Sequence, residues 1–134
     1  MKIKTSFAQG NVPVTILHVE GDIDSASYES FYQHVEKNIV DGARYILVDL
    51  TNTPFVSSAG LRSLLRIVNE LRAIQPDPNF SEMEITKKIA AGQYKSPHLK
   101  LLNLSRKTQT AFELSGFNLF IETFTDMNTA ITAF

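Results

Sequence analysis

The chain has no cysteine among its 134 residues. This absence excludes disulfide bonds, thiolate metal sites and a cysteine nucleophile. Long hydrophobic runs are also missing, because no stretch approaches the ~18 apolar residues that a membrane-spanning helix needs. The N-terminal sequence lacks the apolar core of a signal peptide. We therefore expect a cytoplasmic protein that has no membrane partner.

The chain also lacks a large excess of positive or of negative charge. Lysine and arginine number 13 and aspartate and glutamate 14, which gives a formal net charge of −1. Nucleic acids and anionic membranes bind basic surfaces, so neither is expected as the main partner. The length and the apolar fraction of 43% are typical of one globular domain with a sizeable core. The sequence thus predicts a single domain that spans residues 1–134.

Strands and helices alternate along the chain after an N-terminal hairpin. Alternating or continuous apolar residues predict strands at 3–7, 12–20, 44–50, 99–104 and 119–124. Helical patterns follow at 25–40, 61–71 and 105–114, and Asp126 or Asn128 could cap a last helix that ends at Phe134. This order predicts an α/β fold, with helices packed against a mixed sheet of about five strands.

Two of the predicted helices carry apolar residues on one face. In the first helix these residues are Tyr28, Phe31, Tyr32, Val35 and Ile39, and in the second they are Leu61, Leu64, Leu65, Val68 and Leu71. Such spacing is typical of amphipathic helices. Asp24 or Ser25 could cap the first helix, and Gly42 is placed to end it with a left-handed residue.

The segment at about 74–98 does not fit the alternation and is interpreted as an insertion. Ser81 and Glu84 have the spacing of a capping box, which predicts a short helix after them. Its apolar residues Met83, Ile85 and Ile89 could pack on the domain. A surface elaboration is the favoured interpretation, and a contact with a specific partner is the alternative.

Ser57 and Ser58 lie between a predicted strand and the second helix. One serine suffices to cap a helix, since its oxygen accepts a backbone N–H bond there. A phosphate at this position would meet unpaired N–H groups and the positive end of the helix dipole. The pair is therefore either a helix cap alone or a cap beside a phosphorylation site.

Sequence motifs of catalysis are not found around these serines. Neither serine has the glycine two residues before it that a nucleophile elbow requires. His18, His34 and His98 are interpreted as ordinary strand, surface and loop residues. No glycine-rich phosphate loop is present. The sequence therefore predicts neither a serine hydrolase nor a nucleotide-dependent enzyme, and it predicts no cofactor.

Three aspartates follow or end predicted strands. Asp22 and Asp24 come after the second strand, and Asp49 lies near the end of the third. They could cluster with the two serines, and carboxylate clusters can bind Mg²⁺. The favoured interpretation is a turn residue, a helix cap and a strand-end residue, so no metal site is predicted.

In four places the chain resembles the anti-sigma factor antagonist family of STAS domains. Residues 21–24 (G-D-I-D) resemble the turn before the first helix, and 45–50 resemble the central strand. Residues 55–61 (F-V-S-S-A-G-L) resemble the signature around the phosphorylated serine or threonine. Residues 111–117 (A-F-E-L-S-G-F) resemble the end of the penultimate helix. The resemblance covers nearly the whole chain except for about 74–98, and it implies a STAS-like fold.

The resemblance also implies a function without catalysis. The unphosphorylated protein would bind an anti-sigma factor that is also a GHKL-type serine kinase, and would thereby release a sigma factor and regulate transcription. Phosphorylation would end the binding, and a PP2C-type phosphatase would reset it. By position Ser58 is the phosphoacceptor, and Ser57, which stands where many members have aspartate, is the alternative. The implied partner-binding residues are Asp22, Asp24, Ser57, Ser58, Ala59, Gly60, Leu61 and Arg62.

Besides Ser57, a second residue departs from the family pattern. Ala59 stands where other members of the family have a second serine or threonine. The alternative function is a STAS-like sensing or scaffold module whose serine is never phosphorylated.

Overall fold

A computed structural model describes all residues from Met1 to Phe134. Five strands form one sheet in the order β1-β2-β3-β4-β5. The strands are β1 (Lys2–Gln9), β2 (Pro13–Glu20), β3 (Ile46–Asn52), β4 (Leu99–Leu102) and β5 (Glu122–Phe124). β1 and β2 form the antiparallel hairpin, and the remaining pairs are parallel. The mixed five-stranded α/β fold that the sequence predicts is confirmed.

Five α-helices connect or follow the strands. They are α1 (Tyr28–Val40), α2 (Ser58–Ile74), α3 (Glu82–Ala90), α4 (Arg106–Leu114) and α5 (Met127–Thr132). The apolar stripes of α1 and α2 face the core as predicted: Phe31, Val35 and Ile39 are buried in α1, and Leu61, Leu64, Val68 and Leu71 are buried in α2. Gly42 follows α1 with φ 108°, the left-handed conformation that glycine adopts without steric cost.

The two faces of the sheet are covered unequally. The larger core joins one face to α1 and α2 and includes Val48 and Leu50 of β3. A smaller cluster on the other face joins Leu47 to Ala130 of α5. Because α5 has only six residues, it packs on a part of that face. None of the helices is long and apolar enough to cross a membrane.

Several predicted boundaries are wrong; β4, for example, ends at Leu102 rather than at residue 104. The first helix begins at Tyr28 with Ser27 in the N-cap position, and neither Asp24 nor Ser25 occupies that position. The last strand is only Glu122–Phe124, because the residues before it form a short 3-10 helix at Phe117–Leu119 and a turn. The terminal helix ends at Thr132 rather than Phe134, with Asp126 as its cap.

The segment between α2 and β4 contains the expected helix. Ser81 and Glu84 form a complete capping box at the start of α3. Ile85 is buried in the main core and Ile89 packs against it. Met83 is 71% exposed, so its expected contact with the domain is wrong. One side of α3, which carries Ile85 and Ile89, thus anchors the helix to the domain.

Candidate functional site

Two loops lie side by side where β2 and β3 end. A parallel bridge joins Ile23 of the first loop to Val56 of the second. The N–H of Ile23 donates to the carbonyl oxygen of Phe55 at 3.0 Å, and the N–H of Ser57 donates to the carbonyl oxygen of Ile23 at 2.8 Å. These bonds fix the approach to α2. We call these two loops and the first turn of α2 the rim.

The two serines of the rim have different surroundings. Ser57 is the N-cap of α2, and its Oγ accepts a hydrogen bond from the N–H of Gly60 at 3.3 Å. Its predicted capping role is confirmed. Ser58 is the first residue of the helix and is exposed. Its hydroxyl makes no hydrogen bond to the protein, so it is available to an approaching enzyme.

Gly60 lets α2 pass very close to the first loop. A Cβ atom at this position would lie 2.6 Å from the carbonyl oxygen of Ile23 and 2.7 Å from Cγ1 of Val56. Both distances are shorter than side-chain atoms tolerate, so only glycine fits without a shift of the backbone. The close packing of α2 against the first loop therefore depends on Gly60.

Asp22 and Asp24 lie in the first loop but differ in role. The Oδ1 atom of Asp24 accepts hydrogen bonds from the N–H groups of Ala26 and Ser27, at 2.9 and 3.2 Å. Asp24 therefore stabilises the turn before α1 although it is not the cap residue. The side chain of Asp22 is exposed, and only its carbonyl oxygen is bonded, by the hydroxyl of Ser27. Asp22 is the freer of the two carboxylates at the rim.

Asp49 does not join the serines of the rim, and it is a residue near the end of β3, as the favoured interpretation has it. Val48 and Leu50 belong to the core under α1 and α2, and side chains alternate between the faces along a strand. Asp49 therefore lies on the opposite face, where its Oδ2 is 2.8 Å from Nδ1 of His18. No group of three or more His, Asp or Glu side chains is placed to hold a metal ion.

The histidines also lie away from the rim. His18 bonds to Asp49, and Nε2 of His34 lies 3.1 Å from Oγ1 of Thr5. His98 is 3% exposed, with its ring nitrogens 3.0 and 3.2 Å from the carbonyl oxygens of Arg44 and Gln75. His98 lies in the loop before β4 as predicted, but it is buried, and its ring connects the end of α2 to the residues before β3.

Sequence reasoning missed a groove between α1 and α2 that opens beside the rim. Its volume is about 750 Å³, and its lining includes Tyr28, Tyr32, Ala59, Arg62 and Arg66. The guanidinium carbon of Arg66 lies 4.1 Å from the centre of the Tyr32 ring. Arg62, Arg66 and Glu70 recur at four-residue intervals on the polar side of α2, and this pattern could have indicated a charged groove.

Tyr32, which lines the groove, lies beside two carboxyl groups, those of Glu36 and Glu70. The hydroxyl of Tyr32 donates to Oε2 of Glu70 at 2.9 Å. Burial, followed by the neighbouring Glu70 and Glu36, raises the pKa of Tyr32 to about 12. Burial also raises the pKa of Glu70, and the nearby Glu36 adds to the effect. Oε2 of Glu36 is buried and has no hydrogen-bond partner.

Comparison with known protein families identifies the domain. The sequence model of the STAS domain matches residues 7–77, which include β2, β3, the rim and α2. The chain belongs to the STAS domain family. The rim of this STAS domain lies within the matched residues.

Individual relatives agree with this membership. The Bordetella bronchiseptica protein BtrV, assigned as an anti-sigma factor antagonist, is 26% identical over 99 residues, which are 74% of this chain and 67% of that protein. An anti-sigma factor antagonist from Mycobacterium paratuberculosis superimposes with a TM-score of 0.68 at 17% identity, covering 98% of this chain and 93% of that one.

Two structures of SpoIIAA share the fold. The unphosphorylated anti-sigma factor antagonist SpoIIAA superimposes with a TM-score of 0.65, and the alignment covers 92% of the SpoIIAA chain. The phosphorylated form, described as a Bacillus cell fate determinant, superimposes with a TM-score of 0.59, and the alignment covers 96% of the chain of that form. Each is 17% identical to this STAS domain and covers 96% of it. The arrangement of the STAS fold is therefore shared at low sequence identity.

A buried threonine of α4 accepts a hydrogen bond from the second loop of the rim. The N–H of Val56 donates to Oγ1 of Thr108 at 3.1 Å, and Thr108 is 1% exposed. We expect Thr108→Val to lower the free energy of unfolding by about 1–3 kcal/mol, because a buried N–H group loses its acceptor. Urea denaturation measures the change. Thr108→Ser keeps the hydroxyl and should lose less, and an equal loss in both variants would assign the effect to packing.

Proposed function

We propose that this STAS domain is a switch that binds a partner protein and is controlled by phosphorylation of Ser58. In this proposal the unphosphorylated form binds an anti-sigma factor that is also a GHKL-type serine kinase, and a sigma factor is released. Phosphorylation ends the binding, and a PP2C-type phosphatase restores it. The relatives and structural neighbours named as anti-sigma factor antagonists support this function.

The exposed, unbonded hydroxyl of Ser58 is the observation that carries the proposal. Ser57 is the poorer acceptor, because its oxygen already caps the helix through the N–H of Gly60. A phosphate on Ser58 would lie beside the positive end of the α2 dipole. It would add up to about two negative charges at the surface. Phosphorylation at this position therefore changes the surface while the fold remains intact.

The charge of the rim explains why the phosphate would end binding. A partner that docks over Ser58 also meets the exposed carboxylate of Asp22 and the turn formed by Asp24. On binding, a doubly charged phosphate beside these carboxylates would lose its hydration water. A partner whose surface fits the neutral serine would offer no positive charge to compensate for this loss. The proposed partner-binding residues remain Asp22, Asp24, Ser57, Ser58, Ala59, Gly60, Leu61 and Arg62. A loss of a few kcal/mol corresponds to about 10²-fold or more in affinity.

The test compares wild type, Ser58→Ala and Ser58→Asp in binding the serine kinase that co-purifies with the tagged chain from its own cells. Isothermal titration without ATP should give equal Kd values for wild type and Ser58→Ala, and a Kd about 10²-fold weaker for Ser58→Asp. Ser57→Ala serves as the matched control, with a loss of about 1 kcal/mol in stability but continued phosphorylation of Ser58. Equal Kd values for all three proteins would contradict the switch.

The groove favours a second candidate function, a sensing or scaffold module whose serine is never phosphorylated. A space of about 750 Å³ with two arginines and two tyrosines is large enough for a small ligand. The mass of the protein recovered from its own cells distinguishes the two functions. A phosphate on the peptide that contains residues 55–62 supports the switch, and its absence under all growth conditions supports the sensing module.

A further inference from the structure

A hydrogen-bonded chain of Ser6, His18 and Asp49 crosses three neighbouring strands on the face opposite the rim. Oγ of Ser6 in β1 lies 2.8 Å from Nε2 of His18 in β2. Nδ1 of His18 lies 2.8 Å from Oδ2 of Asp49 in β3. A nucleophile, a base and a carboxylate that orients the base are thus in direct contact, the arrangement that activates serine in acyl transfer.

The carboxylate at the end of this chain is held in its ionised form. Oδ1 of Asp49 accepts hydrogen bonds from both the N–H and the hydroxyl of Thr51. Burial alone would raise the pKa of Asp49, but the bonds from Thr51 and from His18 outweigh it, so the pKa lies below its ordinary value. Asp49 is therefore an acceptor at both of its oxygens.

This arrangement fixes the roles of the two ring nitrogens. Since Asp49 only accepts, Nδ1 of neutral His18 carries the proton and donates it to the carboxylate. Nε2 then has a free lone pair and accepts the hydrogen bond from the hydroxyl of Ser6. The hydroxyl proton of Ser6 thus already points at a base.

Solvent reaches this chain because α5 covers only part of the face. The hydrophobic cluster under α5 includes Leu47, two residues before Asp49 in β3. The side chain of His18 is 34% exposed and that of Asp49 is 14% exposed. Ser6 is half-buried in β1, an edge strand with β2 as its only neighbour. An acyl donor can therefore approach Ser6 from the open face or from the edge.

We propose that Ser6 is a base-activated nucleophile that accepts acyl groups from activated acyl donors such as thioesters, acyl phosphates and activated esters. The Oγ atom attacks the acyl carbon while Nε2 of His18 takes the hydroxyl proton. The bond to the leaving thiolate, phosphate or alkoxide breaks, and His18 returns the proton to the leaving group. The expected product is a lasting acyl-serine, a second modification site separate from Ser58.

The test uses p-nitrophenyl acetate on the full chain, with acetylation of each serine followed by peptide mass spectrometry. Ser58 and Ser30 are exposed serines without a base, and they serve as references within the same molecule. General-base assistance contributes about 10²-fold or more, so Ser6 should be acetylated at least about 10²-fold faster than Ser58. Hydroxylamine removes the acetyl group from the ester of acetyl-serine but not from the amide of acetyl-lysine, so it distinguishes the two products.

Two variants and the wild type together decide the proposal. His18→Gln keeps a polar side chain but removes the base, and Asp49→Asn removes the group that fixes the tautomer. Both should bring the acetylation rate of Ser6 down towards that of Ser58, and thermal unfolding checks that each variant is folded. Acetylation of wild-type Ser6 at the rate of Ser58 would overturn the proposal without any variant. An unchanged rate in folded His18→Gln would overturn it as well. Neither outcome bears on the switch at Ser58.

Discussion

Replacement of Phe31 by alanine is expected to lower the free energy of unfolding by about 3–5 kcal/mol. Phe31 is 0% exposed and is among the largest fully buried side chains of the main core. It lies in the first turn of α1 and holds that helix against the sheet. Removal of the ring leaves a cavity that the surrounding side chains fill only in part, so both the transfer energy and packing are lost.

Phe7 provides a matched control for this variant. It is 76% exposed, so Phe7→Ala removes the same ring from the surface and should change the stability by no more than about 0.5 kcal/mol. Urea denaturation of both variants measures the two losses. The slope of the free energy of unfolding against urea concentration should be the same in both variants. Similar losses for the two variants would contradict the burial of Phe31.

Gly60→Ala should destabilise the domain by about 1–3 kcal/mol. Alanine is the better helix former by about 1 kcal/mol, so propensity alone would stabilise the variant. The added Cβ would meet the carbonyl oxygen of Ile23 at 2.6 Å. That oxygen cannot withdraw freely, because it accepts the N–H of Ser57 at 2.8 Å. We therefore expect steric overlap to outweigh helix propensity.

The control for Gly60→Ala is Ser58→Ala, in the same helical turn. Ser58 is exposed and its hydroxyl is unbonded, so this change should alter the stability by no more than about 0.5 kcal/mol. Thermal or urea unfolding measures both variants. A Gly60→Ala protein as stable as Ser58→Ala would show that the first loop moves away from α2 at little cost.

Features that depend on local sequence were predictable. The apolar stripes of α1 and α2, the left-handed Gly42 and the cap at Ser57 all follow from side chains within one or two turns. The position of Ser58 at the start of α2 follows from the same signals. The fold could therefore be stated before the structure was known, whereas the choice of Ser58 as the candidate phosphoacceptor came from the resemblance to the STAS family.

Features that depend on how helices and strands pack against one another were not predictable. The apolar run in β3 predicts a strand covered on both faces, which holds for Leu47 and Val48. The extent of α5 decides whether Asp49 is covered, and nothing in β3 encodes that extent. The contact of Asp49 with His18 depends on the register between β2 and β3, which pairs these residues directly. For the same reason the groove between α1 and α2 appears only once the two helices are packed.

The bridge between the two loops of the rim has a consequence for local opening. Ile23 is bonded to both Phe55 and Ser57, and its carbonyl oxygen also lies under Gly60. Segments that share such bonds tend to open as one cooperative unit. The loop that carries Asp22 therefore cannot detach while the start of α2 stays ordered. The two loops keep or lose their order together, so a protein that holds either loop in place also holds Ser58 in place.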